Sequence, residues 1–301
     1  MKLNIVKWRL AWFTISATAV GLSIFVFFAW GLKQGIDFTG GTEMSLRFQD
    51  NRPSVVDLGS ALQPLDLGDT VIQPAGTTDM QLRFKTIDEP THQTILTTIQ
   101  KDYPGTTELE YNAIGPSIGE ELRNKSLQAV IIVFLAILAY IAWQFRRVSA
   151  PVESWKYGLV TIMQAFRDVM IPIGVFCVLG HFYGVEIGTP FIAAILTVLG
   201  YSITDCIVVL DRIRENLHKK DGAFKDIVEM SIHQTLLRSF NTSMATLLTL
   251  FAIYLFGGAS LHDFTLTLII GIAVGTFSSI FVSAPTLVSL QEWSAKRKKN
   301  R

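Results

Sequence analysis

Four charged residues lie inside stretches that are otherwise apolar: Arg167, Asp168, Asp205 and Arg238. An ionisable side chain in such a stretch costs about 2.5–3.5 kcal/mol on insertion scales and is a functional candidate by default. Aspartate can take up and release a proton. Arginine stays charged and can only hold or release a carboxylate. Together they are the parts of a proton relay, with Asp205, Arg238 and Asp168 as its candidate members. Asp205 sits five residues before the end of its apolar run at Leu210, about 7–8 Å deep at 1.5 Å per helical residue. Arg238 falls at a comparable depth in the next run. Arg238, Thr242, Thr246 and Thr249 share one helical face, with Asn241 beside them. Thr197, Tyr201 and Asp205 share another. Two polar stripes on consecutive helices predict a hydrogen-bonded seam, with Asp205 and Arg238 facing each other across it. The competing reading is a static ion pair that fixes packing. Arg167 and Asp168 are adjacent, so they are expected to point apart and to need separate partners.

The elements that must position these residues are membrane helices. Half of the 301 residues are hydrophobic and only 17% are charged, against about 25% in a soluble domain. A span needs roughly 20 apolar residues. Six windows qualify: 10–30, 126–145, 157–180, 190–210, 236–257 and 264–290. The first is too long for a signal peptide's apolar region and is expected to stay as an anchor. The segment from Phe224 to Leu237 is expected to lie along the membrane surface before turning in. Pro285 predicts a kink in the last span, and Gly271-Ile-Ala-Val-Gly275 predicts close helix packing.

Lys and Arg set the orientation. Sixteen of them fall in the N-terminal segment, the loops after the second and fourth windows, and the tail. The loops around 181–189 and 258–263 hold none. Both termini are therefore expected on the cytoplasmic side. The net charge of +1 argues against a nucleic-acid binder. Cys177 and Cys206 both lie in apolar runs and form no metal-ligand pattern. No cofactor is expected.

Between the first two windows lie about 90 residues with no apolar run, so they belong outside. From Lys33 to Lys125 there are 8 basic and 14 acidic residues. Strands are predicted at 44–48, 71–74, 80–85 and 107–111, and helices at 54–63 and 91–102. The order β-α-β-β-α-β is ferredoxin-like. Its single histidine, His92, has no nucleophile or metal partner at a defensible spacing, so the domain reads as a folded module and not an enzyme. Glycine-rich junctions flank it, with Gly35, Asp37, Gly40 and Gly41 on one side and Gly115 and Gly119 on the other. These are candidate hinges. The first lacks the Lys-Ser/Thr ending of a phosphate loop.

The fold class is thus an α-helical polytopic membrane protein with six transmembrane helices and one ferredoxin-like α+β extracytoplasmic domain between helices 1 and 2. The expected divisions are 1–34, 35–122 and 123–301. Four motifs, Gly35-Ile-Asp-Phe-Thr-Gly-Gly-Thr42, Gly115-Pro-Ser-Ile-Gly119, the run from Gly200 through Asp205 to Asn216, and Arg238-Ser-Phe-Asn-Thr-Ser243, resemble the SecF branch of the SecD/SecF protein-export family. The likeness runs the length of the chain. Thr204 stands where that family usually has Asn, and Arg167 where it usually has His. The resemblance implies membership of the resistance-nodulation-division superfamily. It implies a heterodimer with SecD in the bacterial cytoplasmic membrane, or in a thylakoid if the source is photosynthetic. It implies association with the SecYEG channel, with SecA and YajC/YidC-type accessory proteins, and with translocating preprotein in contact with membrane lipid. The implied role is to use the proton motive force to assist export, with Asp205 and Arg238 as the matching charged residues. The alternative is half of a proton-coupled small-molecule exporter, though such chains usually carry two large outward domains on about 12 spans.

Overall fold

Five of the six apolar runs each fold as one α-helix, the last is interrupted by a π turn, and most overrun the stretch that composition marks. The computed structural model describes residues 4–49, 52–146, 152–258 and 261–299. Lys2, Arg147 and Arg301 of the basic segments lie outside them. The long helices are α1 (Arg9–Trp30), α5 (Pro116–Gln144), α6 (Ser154–Tyr183), α7 (Thr189–Lys219) and α8 (Phe224–Phe256). The last span comprises α9 (His262–Ser278), a π-helical turn (Ser279–Ser283) and α10 (Ala284–Lys299). Among the described residues, six spans are long and apolar enough to cross a membrane. The chain separates into two compact units, residues 34–128 and residues 1–33 with 129–301.

In the smaller unit, the short helix α2 (Ile36–Thr39) precedes β1 (Gly41–Arg47), α3 (Val55–Leu62), β2 (Val71–Ala75), β3 (Asp79–Phe84), α4 (Glu89–Asp102) and β4 (Thr107–Ile114). The sheet is antiparallel in the order β2-β3-β1-β4. Strand alternation sends Met44, Leu46, Met80, Leu82 and Phe84 to one face. There they bury against Leu58 and Leu62 of α3 and Ile95 and Ile99 of α4. Ser54 and Asp88 cap the two helices by accepting hydrogen bonds from Asp57 N (3.1 Å) and Thr91 N (3.2 Å). On the opposite face Arg47 donates two 2.8 Å bonds to Asp79, which hold that carboxyl below the usual carboxylate range. His92 is buried, stacked on Tyr111 at 3.9 Å, with Glu89 and Glu108 at its two ring nitrogens.

The two glycine junctions meet. Gly40 has φ +73°, and a Cβ there would lie 2.8 Å from Pro116 Cα. A Cβ on Gly119 would lie 2.8 Å from Gly40 N. Glycine is needed here for close backbone approach. The second junction is not a loop, because Pro116 opens α5 directly, as proline suits a first helical turn.

In the larger unit, glycines also set the helix contacts. A Cβ on Gly271 of α9 would come within 2.6 Å of Val198 Cγ1, and one on Gly275 within 3.2 Å of Ser202 Cβ. A Cβ on Gly174 of α6 would meet Ser23 Cα of α1 at 2.6 Å. The expected surface segment before α8 is instead its first turns. Val228 and Ile232 bury with Leu210, Ile213, Leu287 and Val288, so this end of α8 packs on protein. Glu229 there accepts the backbone N–H groups of Ile5 and Val6, both at 2.7 Å. The irregularity expected at Pro285 takes the form of the π turn just before it. Proline cannot donate to the carbonyl four residues back and crowds it, and the wider turn relieves both.

Gly271→Val is expected to lower stability by about 1–3 kcal/mol through overpacking on Val198. Thermal unfolding of the solubilised chain checks this against Gly21→Ala, where an added Cβ meets nothing within 4 Å. Gly40→Ala is expected to cost a similar amount, roughly 1–3 kcal/mol of backbone strain, read as faster hydrogen exchange in β1.

Candidate intramembrane charge site

Asp168 is fully buried near the middle of α6. A carboxylate there must be paired and hydrogen-bonded, because desolvation of an isolated charge costs several kcal/mol or more. Ser202 Oγ of α7 donates to its Oδ2. Arg167 Nε lies 3.5 Å from its Oδ1 and donates to Ser278 Oγ of α9 at 2.8 Å. Arg167 Nη1 reaches Ser16 Oγ of α1 at 3.4 Å. Gln164, one turn earlier on α6, donates to Ser202 Oγ at 3.0 Å and accepts from Ser283 Oγ of the π turn. Five elements are joined here through two charges, one amide and four serines. Arg167 and Asp168 therefore do not point apart as their adjacency suggests. The long arginine side chain folds back so that its Nε reaches both the neighbouring carboxylate and Ser278.

Asp205 lies one turn further along α7 than Ser202 and is partly buried. Its Oδ2 accepts from Ser279 Oγ, the first residue of the π turn, and that hydroxyl also reaches Thr276 O at 3.0 Å. The two carboxylates thus lean on adjacent residues of one segment: Asp168 beside Ser278 and its arginine, Asp205 on Ser279. Thr276, Ser279 and Ser283 recur at helical spacing in the last span. That stripe is the sequence signal for this third helix.

Arg238 is exposed on α8 and makes no ion pair with Asp205 among the described residues. The expected stripe of Arg238, Thr242 and Thr249 lies on the open side of α8, and the threonine hydroxyls turn back onto carbonyls of their own helix. The face that meets the bundle is offset by one residue and carries Ser239, Ser243 and Leu250. Tyr201 of the expected α7 stripe does cross the seam, donating to Ser243 Oγ at 3.2 Å, and Thr276 Oγ1 donates to the same oxygen at 2.6 Å. The seam exists, but it is built of hydroxyls. The charged pair expected across it is replaced by Asp205 with Ser279 on one side and an open arginine on the other.

Of the glycine candidates, Gly35 caps α2, Asp37 lies in its first turn, and Gly40, Gly41, Gly115 and Gly119 cluster at the joint described above. Gly200 lies on α7, with open space where a Cβ would be. Cys177 and Cys206 are free and buried.

Arg167→Met is expected to destabilise the chain by about 3–5 kcal/mol, because it strands Asp168. Arg167→Met combined with Asp168→Asn is expected to recover most of that loss. Paired thermal unfolding curves check the comparison.

The comparisons bear on the whole chain. Residues 93–293 match the family model described as protein export membrane protein SecD/SecF, C-terminal, and residues 25–51 match the SecD/SecF GG motif. A protein translocase subunit SecF from Thermobaculum terrenum is 38% identical over 95% of this chain and 93% of its own length. One from Sebaldella termitidis is 34% identical over 100% and 96%. The crystal structure of SecDF, a translocon-associated membrane protein from Thermus thermophilus, superposes with a TM-score of 0.85 at 32% identity. That match covers 97% of this chain and 39% of the SecDF chain. With six membrane helices, a β-α-β-β-α-β domain after the first, and glycine motifs clasped at its base, this chain belongs to the SecD/SecF family of protein export membrane proteins.

Proposed function

We propose that this chain is a SecF-type subunit of the protein translocase. It is a non-catalytic accessory that works beside a SecD-type membrane protein and, with it, uses the proton motive force to help exported proteins finish crossing. In this reading it spans the bacterial cytoplasmic membrane, or a thylakoid, with both termini cytoplasmic and the domain of residues 35–122 outside. The SecYEG channel, SecA, YajC/YidC-type accessories and the preprotein are its further partners.

The observation that carries the reading is Asp205. It is a carboxyl group within a membrane span, held by a single serine hydroxyl and partly open. Such a group can exchange a proton without dismantling the fold, whereas Asp168 is locked among Arg167, Ser202 and Ser278. Asp205 is therefore the exchanging group and Asp168 the fixed charge that orders the helices beside it. Arg238, Asn241 and Thr242 support a second membrane subunit. They stand exposed on a membrane-spanning helix, and a cation facing lipid is costly. A polar surface of a SecD-type protein would cover them. The glycine joint would serve as the pivot by which the outward domain responds.

Asp205→Asn keeps the hydrogen-bonding shape but cannot exchange a proton. Export driven by the proton gradient is expected to fall to background while the chain still assembles. Normal export in that variant would refute the relay. Arg238→Ala is expected to lose co-purification of the SecD-type partner from native membranes, and Arg238→Lys to weaken it, since an ammonium lacks the planar fork. Full recovery of the partner with Arg238→Ala would place the interface elsewhere. Attachment of an impermeant thiol reagent to Asp79→Cys from the outer side tests the orientation.

A further inference from the structure

Asp205 needs a route to the outside, and the hydroxyl groups on the seam lie on that side of it. On α7, Tyr201 is one turn closer to the helix start than Asp205. On α8, Ser243 is one turn closer to the helix end than Ser239. On α9, Thr276 precedes Ser279 by one turn. All three steps run toward the same end of the bundle, because α8 is antiparallel to its two neighbours. Tyr201 OH and Thr276 Oγ1 both donate to Ser243 Oγ, at 3.2 and 2.6 Å. These three side chains form one hydrogen-bonded knot from three helices. Since Tyr201 pairs with Ser243, one turn inward along both helices puts Ser239 level with Asp205.

Ser239 supplies an independent observation. Its side chain is 1% exposed, and its Oγ has no hydrogen-bond partner among the described residues. A buried hydroxyl without a protein partner is satisfied when a water is held on it. Outward of the knot the same three helices close with Val198, Leu250, Leu268 and Ile272, against which Tyr201 and Leu247 pack. This apolar plug separates the hydroxyls from the outer mouth.

We propose that Tyr201, Ser243, Thr276 and Ser239 are the outward proton branch of this protein, sealed by the apolar plug. The branch rests on the reading of Asp205 as the exchanging carboxyl. A proton arriving when the plug parts is accepted by the Ser243–Thr276 knot as each hydroxyl takes one proton and passes on another. It crosses to Asp205 through a water held on Ser239 Oγ, and the carboxylate becomes a carboxylic acid. Ser279 Oγ, which donates to Asp205 Oδ2, orients the acceptor and is a positioning residue. No bond other than O–H is made or broken.

The test is proton-gradient-driven export by membrane vesicles carrying the full chain with its co-expressed SecD-type partner. Wild type, Asp205→Asn, Ser243→Ala with Thr276→Val, and Ser243→Ala with Thr276→Ser are measured in light and heavy water. The Ser243→Ala/Thr276→Val pair is expected to slow export roughly tenfold, the rate equivalent of one buried hydrogen bond lost from the path. Its solvent isotope effect is expected to rise, and the serine at 276 should restore much of the rate. If Asp205→Asn exports normally, the relay reading itself falls. If Asp205→Asn is inactive while the Ala/Val pair matches wild type in rate and isotope effect, the branch is wrong. A loss that serine at 276 does not rescue, with an unchanged isotope effect, also overturns it, since that is the mark of a packing defect.

Discussion

A buried carboxylate cannot be left alone in a membrane, and the helix bundle is arranged around that requirement at Asp168. Its partners come from α6, α7 and α9, and Arg167 extends the set to Ser16 of α1. None of those serines would fix a helix by itself, because a neutral hydrogen bond contributes only about 1 kcal/mol net. Tied to one charge they specify the relative height and rotation of four helices at once. The small-residue contacts of Gly271, Gly275 and Gly174 let the backbones come close enough for those short side chains to reach.

With Asp168 fixed, the neighbouring carboxylate has a different character. Asp205 shares the segment that orders Asp168, yet rests on one hydroxyl at the start of a π turn. Turns of this type interrupt the helical register and recur at functional sites. Here the turn places Ser279 toward Asp205 and Ser283 toward Gln164, so the segment that holds Asp205 also closes the Asp168 network. Asp168 is enclosed by its network and Asp205 rests on a single hydroxyl, and Ser202, which bonds Asp168 from α7, lies one turn from Asp205.

Much of this was legible from residue types. Apolar run length marked the six spans, and strand alternation with helical spacing located the sheet and both helices of the outward domain. The overruns were not legible, because composition marks only the lipid-crossing part. The first turns of α8 and the start of α5 are helical for reasons of packing and of Pro116, not of hydropathy. The site was half legible. Arg167, Asp168 and Asp205 announce themselves as charges among apolar residues. Their partners do not, because serine and threonine are common in membrane helices and mostly bond their own backbone, as Thr242 and Thr246 do. The inward face of α8 was misread by one residue: 238, 242 and 249 and 239, 243 and 250 have the same helical spacing, and periodicity alone does not say which faces protein. The glycine motifs were seen as hinges, while their mutual contact through Gly40, Pro116 and Gly119 required the fold.

The central claim is that Asp205 changes protonation while Asp168 does not. Infrared difference spectra of the membrane-embedded chain between acidic and neutral pH read carboxylic-acid stretches directly. Among the carboxylic-acid bands that titrate, the account predicts one that disappears in Asp205→Asn and persists in Asp168→Asn. A titrating band that survives Asp205→Asn and vanishes in Asp168→Asn would contradict it.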